Sequence, residues 1–422
     1  MATMEMESLQ KALYICSSLP LANGSGTEQR GHRNLTALIT RYDTHVLITG
    51  TPENEAMRKA RCSNLLGCTF HFLSITPHTS IVGDKNFKGA QLMGAVLGAL
   101  YPSLSANNLS HAEILQVIDE VNREGPYSVV LVYRLANVPI YRFLKKIGVI
   151  VGPASLDLDD IESISLKRNV QVERRRMGRE LVLANSIRAY RLAYFERHLK
   201  YWFRCIFVCS SLDAEAMNAR HHTDRFVSIV NSYDFSGQVK PKEQTSDVSA
   251  VSIVFVGSMY YAPNVSGAVW FCREVLPILR SSCAVPISVN IVGFDPTSEV
   301  TQLNEIDLVR VTGGVESLDP WYANADLAIA PIHFGSGSRI KILESIAMRT
   351  PVVSTTLGAE GLNLTPEEDL LIADEPADFA KQCMRLISDP ALRGRLVAQS
   401  LAKCRSIYDH QVATHDILEC LV

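Results

Sequence analysis

Short apolar runs of four to seven residues alternate with amphipathic stretches along the whole chain, the pattern of parallel strands joined by crossover helices. That pattern predicts an α/β protein built from two doubly wound sheets. Two further observations set the number at two. The 422 residues are two to three times the usual ~150-residue domain. A polar stretch over 234–249, DFSGQVKPKEQTSDVS, interrupts the alternation with Pro, Gly and no apolar period, as a linker does. The expected division is a first domain over 1–235, a linker over 236–249 and a second domain over 250–422, with the last helices as candidates to pack back on the first domain.

In the first series, strands are expected at 12–16, 45–49, 69–75, 128–133, 148–156 and 205–209, because each is an apolar run of strand length. Amphipathic period places helices over 28–40 and 112–123, and one long helix over 174–203. In the second series, strands are expected at 252–257, 288–292, 309–312, 327–331, 352–355 and 370–373, followed by helices from Asp378, Leu392 and Gln411. Sheets of this kind hold ligands at the carboxyl ends of their strands, so two of them facing across a cleft would line it from both sides.

Composition excludes several classes. With 47% hydrophobic and 20% charged residues the chain fills cores, which removes disorder, and 24 Gly and 18 Pro without period remove collagen-like repeats. A net charge of -3 creates no global field for nucleic acid. No apolar run reaches the ~18 residues of a membrane span, and MATMEMESLQK carries acids where a secretory leader carries positive charge. A cytoplasmic location is expected, which ten scattered Cys, several inside apolar runs, suit as buried thiols.

The chemistry concentrates in APIHFGSGSRIKILESIAMRTPVVSTTLGAEGL, residues 330–362. A strand ends at Pro331, a Gly/Ser loop follows with Ser336, Gly337 and Ser338, and a helix begins near Ser338 carrying Arg339, Lys341 and Glu344. Small residues let backbone N–H groups approach phosphates, the helix N-terminus adds about half a positive charge, and Arg and Lys neutralise more. Glu344, one to two turns on, can accept both hydroxyls of a ribose. A plain helix cap with a solvated basic face would show the same residues.

From Ser252 onward the chain resembles the C-terminal half of the group 1 (family 4) retaining glycosyltransferases. The residues that carry the resemblance are VFVGSMYYAPN with Gly257, RVTGGV, DLAIAPIHFGSGSRIKILESIA and PVVSTTLGAEGL, about 150 residues in the expected order. The resemblance implies the GT-B fold: two facing Rossmann-like domains with a cleft between them, the first on the acceptor side and the second binding a nucleotide sugar. Glu344 matches the second Glu of the E-x7-E motif, which holds the donor ribose. The first Glu of that motif falls on Ser336, a departure, which leaves Ser336, His333 and Glu360 as candidates for the donor sugar. Met259, Tyr260 and Tyr261 stand where the family has Arg and Lys, so Arg339 and Lys341 are expected to take the diphosphate, as in a branch with a GSGxRxKxLE signature.

In the first half, 13–33 (LYICSSLPLANGSGTEQRGHR) is similar to the family's first Gly loop, which makes Gly24 and Gly26 donor-side candidates against an ordinary strand-to-helix turn. Tyr133-Arg134 stands where many members have a His, so Arg134 is an acceptor-side candidate. Asp157-x-Asp159-Asp160 follows an expected strand and superficially resembles the metal motif of GT-A enzymes; metal is discounted because the donor signature lies far downstream, and Asp157 is kept as an acceptor-side candidate. Over 167–204, eleven Lys and Arg face three Glu, with six aromatics in the second half. A basic helix of this kind suits peripheral contact with anionic lipid on the inner face of the cytoplasmic membrane, or a solvated face over a core stripe.

The expected function is transfer of a hexose-type sugar, with retention, from a nucleoside diphosphate donor to a saccharide or lipid-linked acceptor in cell-surface polysaccharide synthesis. Arg339 and Lys341 would act on the leaving diphosphate, with no metal or other cofactor. Two rivals share the fold: a sugar-nucleotide epimerase, for which no acid/base set is visible, and a non-catalytic binding protein, suggested by Ser336.

Overall fold

The computed structural model describes residues 9–22, 24–49, 67–73, 111–173, 179–236, 250–335 and 339–421. Two compact units are present. The first gathers Met1–Ile229 with Thr414–Val422, and the second is Val230–Ala413.

The first unit is built on a seven-stranded parallel sheet in the order β3-β2-β1-β4-β5-β6-β7. Its strands are β1 (Lys11–Cys16), β2 (Asp43–Ile48), β3 (Thr69–Phe72), β4 (Val129–Tyr133), β5 (Ala154–Asp159), β6 (Ile206–Val208) and β7 (Phe226–Ser228). Between them run the helices α1 (Gly26–Ile39), α2 (His111–Glu124), α3 (Val138–Lys146), α4 (Glu162–Glu173), α5 (Arg179–Glu196) and α6 (Ser211–His221). Strands covered on both faces must be apolar throughout, and all five residues of β4 are buried. One core layer joins Leu13, Val130, Leu156 and Ile206, and the other joins Tyr14, Leu35, Leu131 and Phe207.

The second unit repeats the plan with six parallel strands in the order β10-β9-β8-β11-β12-β13. They are β8 (Val251–Val256), β9 (Ile287–Val292), β10 (Val309–Val311), β11 (Leu327–Ala330), β12 (Val352–Ser354) and β13 (Leu371–Ile372). The main helices are α7 (Ala262–Trp270), α8 (Leu276–Ser282), α9 (Asp319–Ala323), α10 (Ile340–Ala347), α11 (Pro376–Ser388) and α12 (Pro390–Tyr408). A last helix, α13 (His410–Leu421), carries Ile417 and Leu421 into the core of the first unit beside Tyr14 and Phe207.

Three expectations need correction. The strand expected at 148–156 is β5, Ala154–Asp159, so Asp157 and Asp159 lie within a strand and not after it. In place of one helix over 174–203 there is α5, Arg179–Glu196, then a single 3-10 turn, Leu199–Tyr201; Phe203 beyond it is fully buried, while Tyr190, Tyr194 and Tyr201 are exposed. The first sheet has seven strands against the six expected, β7 (Phe226–Ser228) being the addition.

Candidate functional site

In the second unit the chain winds from β8 to one side of the sheet and from β11 to the other. The loops leaving these neighbouring strands therefore diverge at their carboxyl ends, where doubly wound sheets bind ligands. Glycines let the backbone close in around this point. A Cβ on Gly267 of α7 would lie 2.4 Å from the Pro331 carbonyl oxygen, just past β11. Gly335, with φ +99, adopts the left-handed conformation that side chains rarely take. The turn after β12 folds back in the same way, since a Cβ on Gly358 would lie 2.5 Å from the Ala330 carbonyl oxygen.

The helix α10 follows this loop. Its Ile342, Leu343 and Ile346 pack into the core, while Lys341, Glu344 and Ser345 share a polar side. The ammonium of Lys341 donates to Asn264 Oδ1 and lies 4.7 Å above the Phe255 ring. Burial, assisted by the nearby Arg339 charge, lowers its pKa to about 7. Gly257 makes room for this pair: a Cβ there would stand 2.6 Å from Asn264 Nδ2 and 3.2 Å from Lys341 Nζ.

Glu344 is 4% exposed, and burial raises its carboxyl to about 7. The Tyr322 hydroxyl donates to its Oε2 at 3.0 Å, and Tyr233 bonds it as well. Arg339, at the start of α10, has Nη2 3.8 Å from Oε2 of the exposed Glu360. His333 packs edge-on against Trp270 at 4.4 Å between ring centroids. Arg339, Lys341, Glu344, Glu360 and Gly257 thus belong to the loops and helices at the carboxyl ends of β8, β11 and β12. Ser336, Gly337 and Ser338 lie outside the described residues. Asn264, Tyr322 and Tyr233 were missed; Asn264 ends the VFVGSMYYAPN segment, whereas nothing in the sequence marks the two tyrosines as carboxylate partners.

In the first unit, Gly24 and Gly26 flank the N-cap of α1 after β1. The Ser25 N–H donates to Glu28 Oε2 at 2.7 Å, and a Cβ on Gly24 would strike the Glu28 side chain at 2.5 Å. Asp157, expected on the acceptor side, points inward and is fully buried. Arg30 donates to it from Nε at 2.9 Å and from Nη2 at 2.8 Å, and Asn34 Nδ2 donates at 2.7 Å. The flanking Arg30 and Arg33 charges hold its carboxyl below the usual range despite burial. This carboxylate pins α1 to β5. Asp159, at a bulge in β5, accepts from Arg134 Nη1 at 3.1 Å, and the Arg134 side chain keeps 28% exposure. Arg134 itself takes the left-handed φ of 71 and donates its N–H to the Asp157 carbonyl at 2.7 Å. Among the described residues no group of three or more His, Cys, Asp or Glu could hold a metal ion.

Residues 250–389 match the family model of glycosyl transferases group 1. An uncharacterized protein in the cps region of Klebsiella pneumoniae is 26% identical over 143 residues, 32% of this chain and 37% of that protein. D-inositol 3-phosphate glycosyltransferase of Thermomonospora curvata is 32% identical over 111 residues, 25% of this chain and 26% of that one. The chain thus matches little more than a third of the first of these curated relatives and about a quarter of the second. Among solved structures, sucrose-phosphate synthase from Thermosynechococcus elongatus superposes with a TM-score of 0.64 at 14% identity, over 97% of this chain and 98% of that one. HepE from Anabaena, solved with UDP and glucose, gives 0.61 at 15% identity over 98% and 99%. WaaG, a glycosyltransferase involved in lipopolysaccharide biosynthesis, gives 0.60 at 12% over 96% and 98%. With its two parallel-sheet units and these neighbours, the chain has the GT-B fold.

Proposed function

We propose that this chain is a glycosyltransferase that takes a sugar from a nucleoside diphosphate donor and passes it, with retention at the anomeric carbon, to a saccharide or lipid-linked acceptor. The observation that carries the reading is Lys341. A lysine buried against Asn264, Phe255 and Gly257, at the point where the strand order reverses, is costly in isolation. An incoming diphosphate supplies counter-charge beyond what the neighbouring Glu344 carboxylate gives it. Arg339, at the start of the same helix, adds a second cation, and Glu344 offers a carboxylate to the ribose hydroxyls once Tyr322 yields one oxygen.

Chemically, charge develops on the diphosphate as the bond to the sugar breaks. Arg339 and Lys341 would stabilise it there, and the departing oxygen would take the acceptor proton. With two cations in place, transfer is proposed to need no divalent metal; complete loss of activity in a chelator, restored by magnesium or manganese, would refute this. The Klebsiella relative in a cps region and the lipopolysaccharide role of WaaG support a place in cell-surface polysaccharide synthesis. Ser336, where the family's E-x7-E motif has its first Glu, favours one alternative, a protein that binds a nucleotide sugar without transferring it.

A thermal-shift panel of UDP-, GDP-, ADP- and dTDP-sugars tests the reading first, since a ligand at a hundred times its dissociation constant adds ~2.7 kcal/mol. Stabilisation by one donor, followed by product with the donor's anomeric configuration, is expected. Stabilisation without turnover on any acceptor would favour the binding protein, and no stabilisation by any donor would refute both.

A further inference from the structure

The outward face of α5, in the first unit, has a composition that a solvated helix does not need. Its inward side buries Ala189, Leu192 and Glu196, the last held by the Ser163 N–H at 3.0 Å. On the other side Leu183 is 62% exposed, Ile187 46%, Tyr190 73% and Tyr194 61%. Their spacing of four, three and four residues sets them in one stripe along the helix. Single exposed apolar residues are ordinary, but a run of four at helical spacing is not. Arg179, Arg188 and Arg191 are exposed on the same helix and Arg197 directly after it, against one exposed acid, Glu180. Tyr201, 70% exposed, continues the aromatic character past the end of the helix.

We propose that α5 docks in the plane of an anionic lipid surface, with Leu183, Ile187, Tyr190 and Tyr194 entering the headgroup boundary and the four arginines pairing with lipid phosphates. Charge decides between this partner and a second copy of the chain. A symmetric pair would set one arginine-rich face against another, whereas anionic lipid neutralises it. Tyrosine beside arginine is also the pairing that suits an interface apolar on one side and wet on the other. Among the described residues no helix is long and apolar enough to cross a membrane, so α5 lies on the surface. The inference uses the first unit alone and is independent of the sugar-transfer reading.

The test is sedimentation of the full chain, at low salt, with zwitterionic vesicles and with vesicles carrying an anionic phospholipid. The protein should pellet only with the anionic vesicles. Arg188→Glu and Arg191→Glu should each weaken that binding at least about fivefold. The triple variant Leu183→Ser/Ile187→Ser/Tyr190→Ser should stay in the supernatant while its melting temperature is unchanged, since these side chains lie outside the core. Tyr190→Trp, which keeps an aromatic there, should show a blue-shifted emission on adding anionic vesicles. Wild-type protein that ignores anionic vesicles, or a triple variant that pellets as wild type does, overturns the proposal. So does a wild-type dimer in analytical ultracentrifugation that the triple variant dissolves, which would assign the stripe to a second copy.

Discussion

Lys341 makes donor binding dependent on protons in a way that can be measured directly. Burial brings its pKa to about 7, so above neutral pH most of the free protein holds a neutral amine there. A diphosphate placed beside it favours the ammonium and raises that pKa again. Binding must then draw a proton from solution, amounting at pH 8 to ~0.9 proton per molecule bound. Apparent donor affinity should fall as pH rises above 7, approaching about tenfold per pH unit. Glu344 also titrates near 7, but at pH 8 it is already mostly ionised, so Lys341 dominates the exchange. Calorimetric titration in two buffers of different ionisation enthalpy reads the uptake, using the donor found by thermal shift. Lys341→Met keeps a flexible chain above Phe255 and removes the charge. The variant should bind more weakly at pH 7, and at pH 8, where Glu344 is mostly ionised, its binding should show no proton uptake and an affinity that no longer falls toward pH 9. Wild-type protein whose binding enthalpy is the same in both buffers at pH 8, or whose affinity does not change with pH, would show that the diphosphate does not meet this amine.

Glu344→Gln should lower donor affinity or turnover about tenfold or more, because a charge-assisted acceptor is worth ~1.5–3 kcal/mol; unchanged kinetics would remove Glu344 from the ribose. Asp157→Ala leaves Arg30 buried without its main partner and should cost about 3–5 kcal/mol in denaturant unfolding, while Arg30→Met/Asp157→Leu should recover much of that. A loss below about 1 kcal/mol from Asp157→Ala would contradict the assignment of this pair to the fold. Glu196, raised by burial from 4.5 to about 7, keeps a proton in the folded state that the unfolded chain has released. Stability should therefore fall between pH 4.5 and 7, by up to roughly 3 kcal/mol, and Glu196→Gln should flatten the profile; an equal slope in both proteins would place the titration elsewhere.

Much of this architecture was legible because both sheets are parallel and covered on both faces, which writes strands such as β4 and β11 as uninterrupted apolar runs. The runs failed where charge entered a strand. In β5 the sequence Ala-Ser-Leu-Asp-Leu-Asp buries two aspartates, and partners distant in sequence, the arginines of α1 for Asp157 and Arg134 for Asp159, explain how they can be there. The candidate site was legible where it is local, since Arg339, Lys341 and Glu344 share one helix. Asn264, Tyr233 and Tyr322 were not, because what they do depends on tertiary contacts that leave no spacing behind. Nor does charge counting reveal the outward stripe of α5: periodicity locates an apolar face without saying which way it points.

The return of α13 to the first unit has a bearing on how the chain is made. Ile417 and Leu421 fill a layer of core begun by Ala12 and Tyr14, so the whole second unit must be synthesised before that layer can close. Domains usually mature on the ribosome in order, the amino-terminal one first. Here the second unit can complete its own core while the first still presents uncovered apolar surface, which makes the nascent first unit the aggregation-prone intermediate. Cutting the chain after the second unit, or extending α13 with a bulky fusion, should harm the folding of the first unit far more than that of the second, to which the helix is tied in sequence.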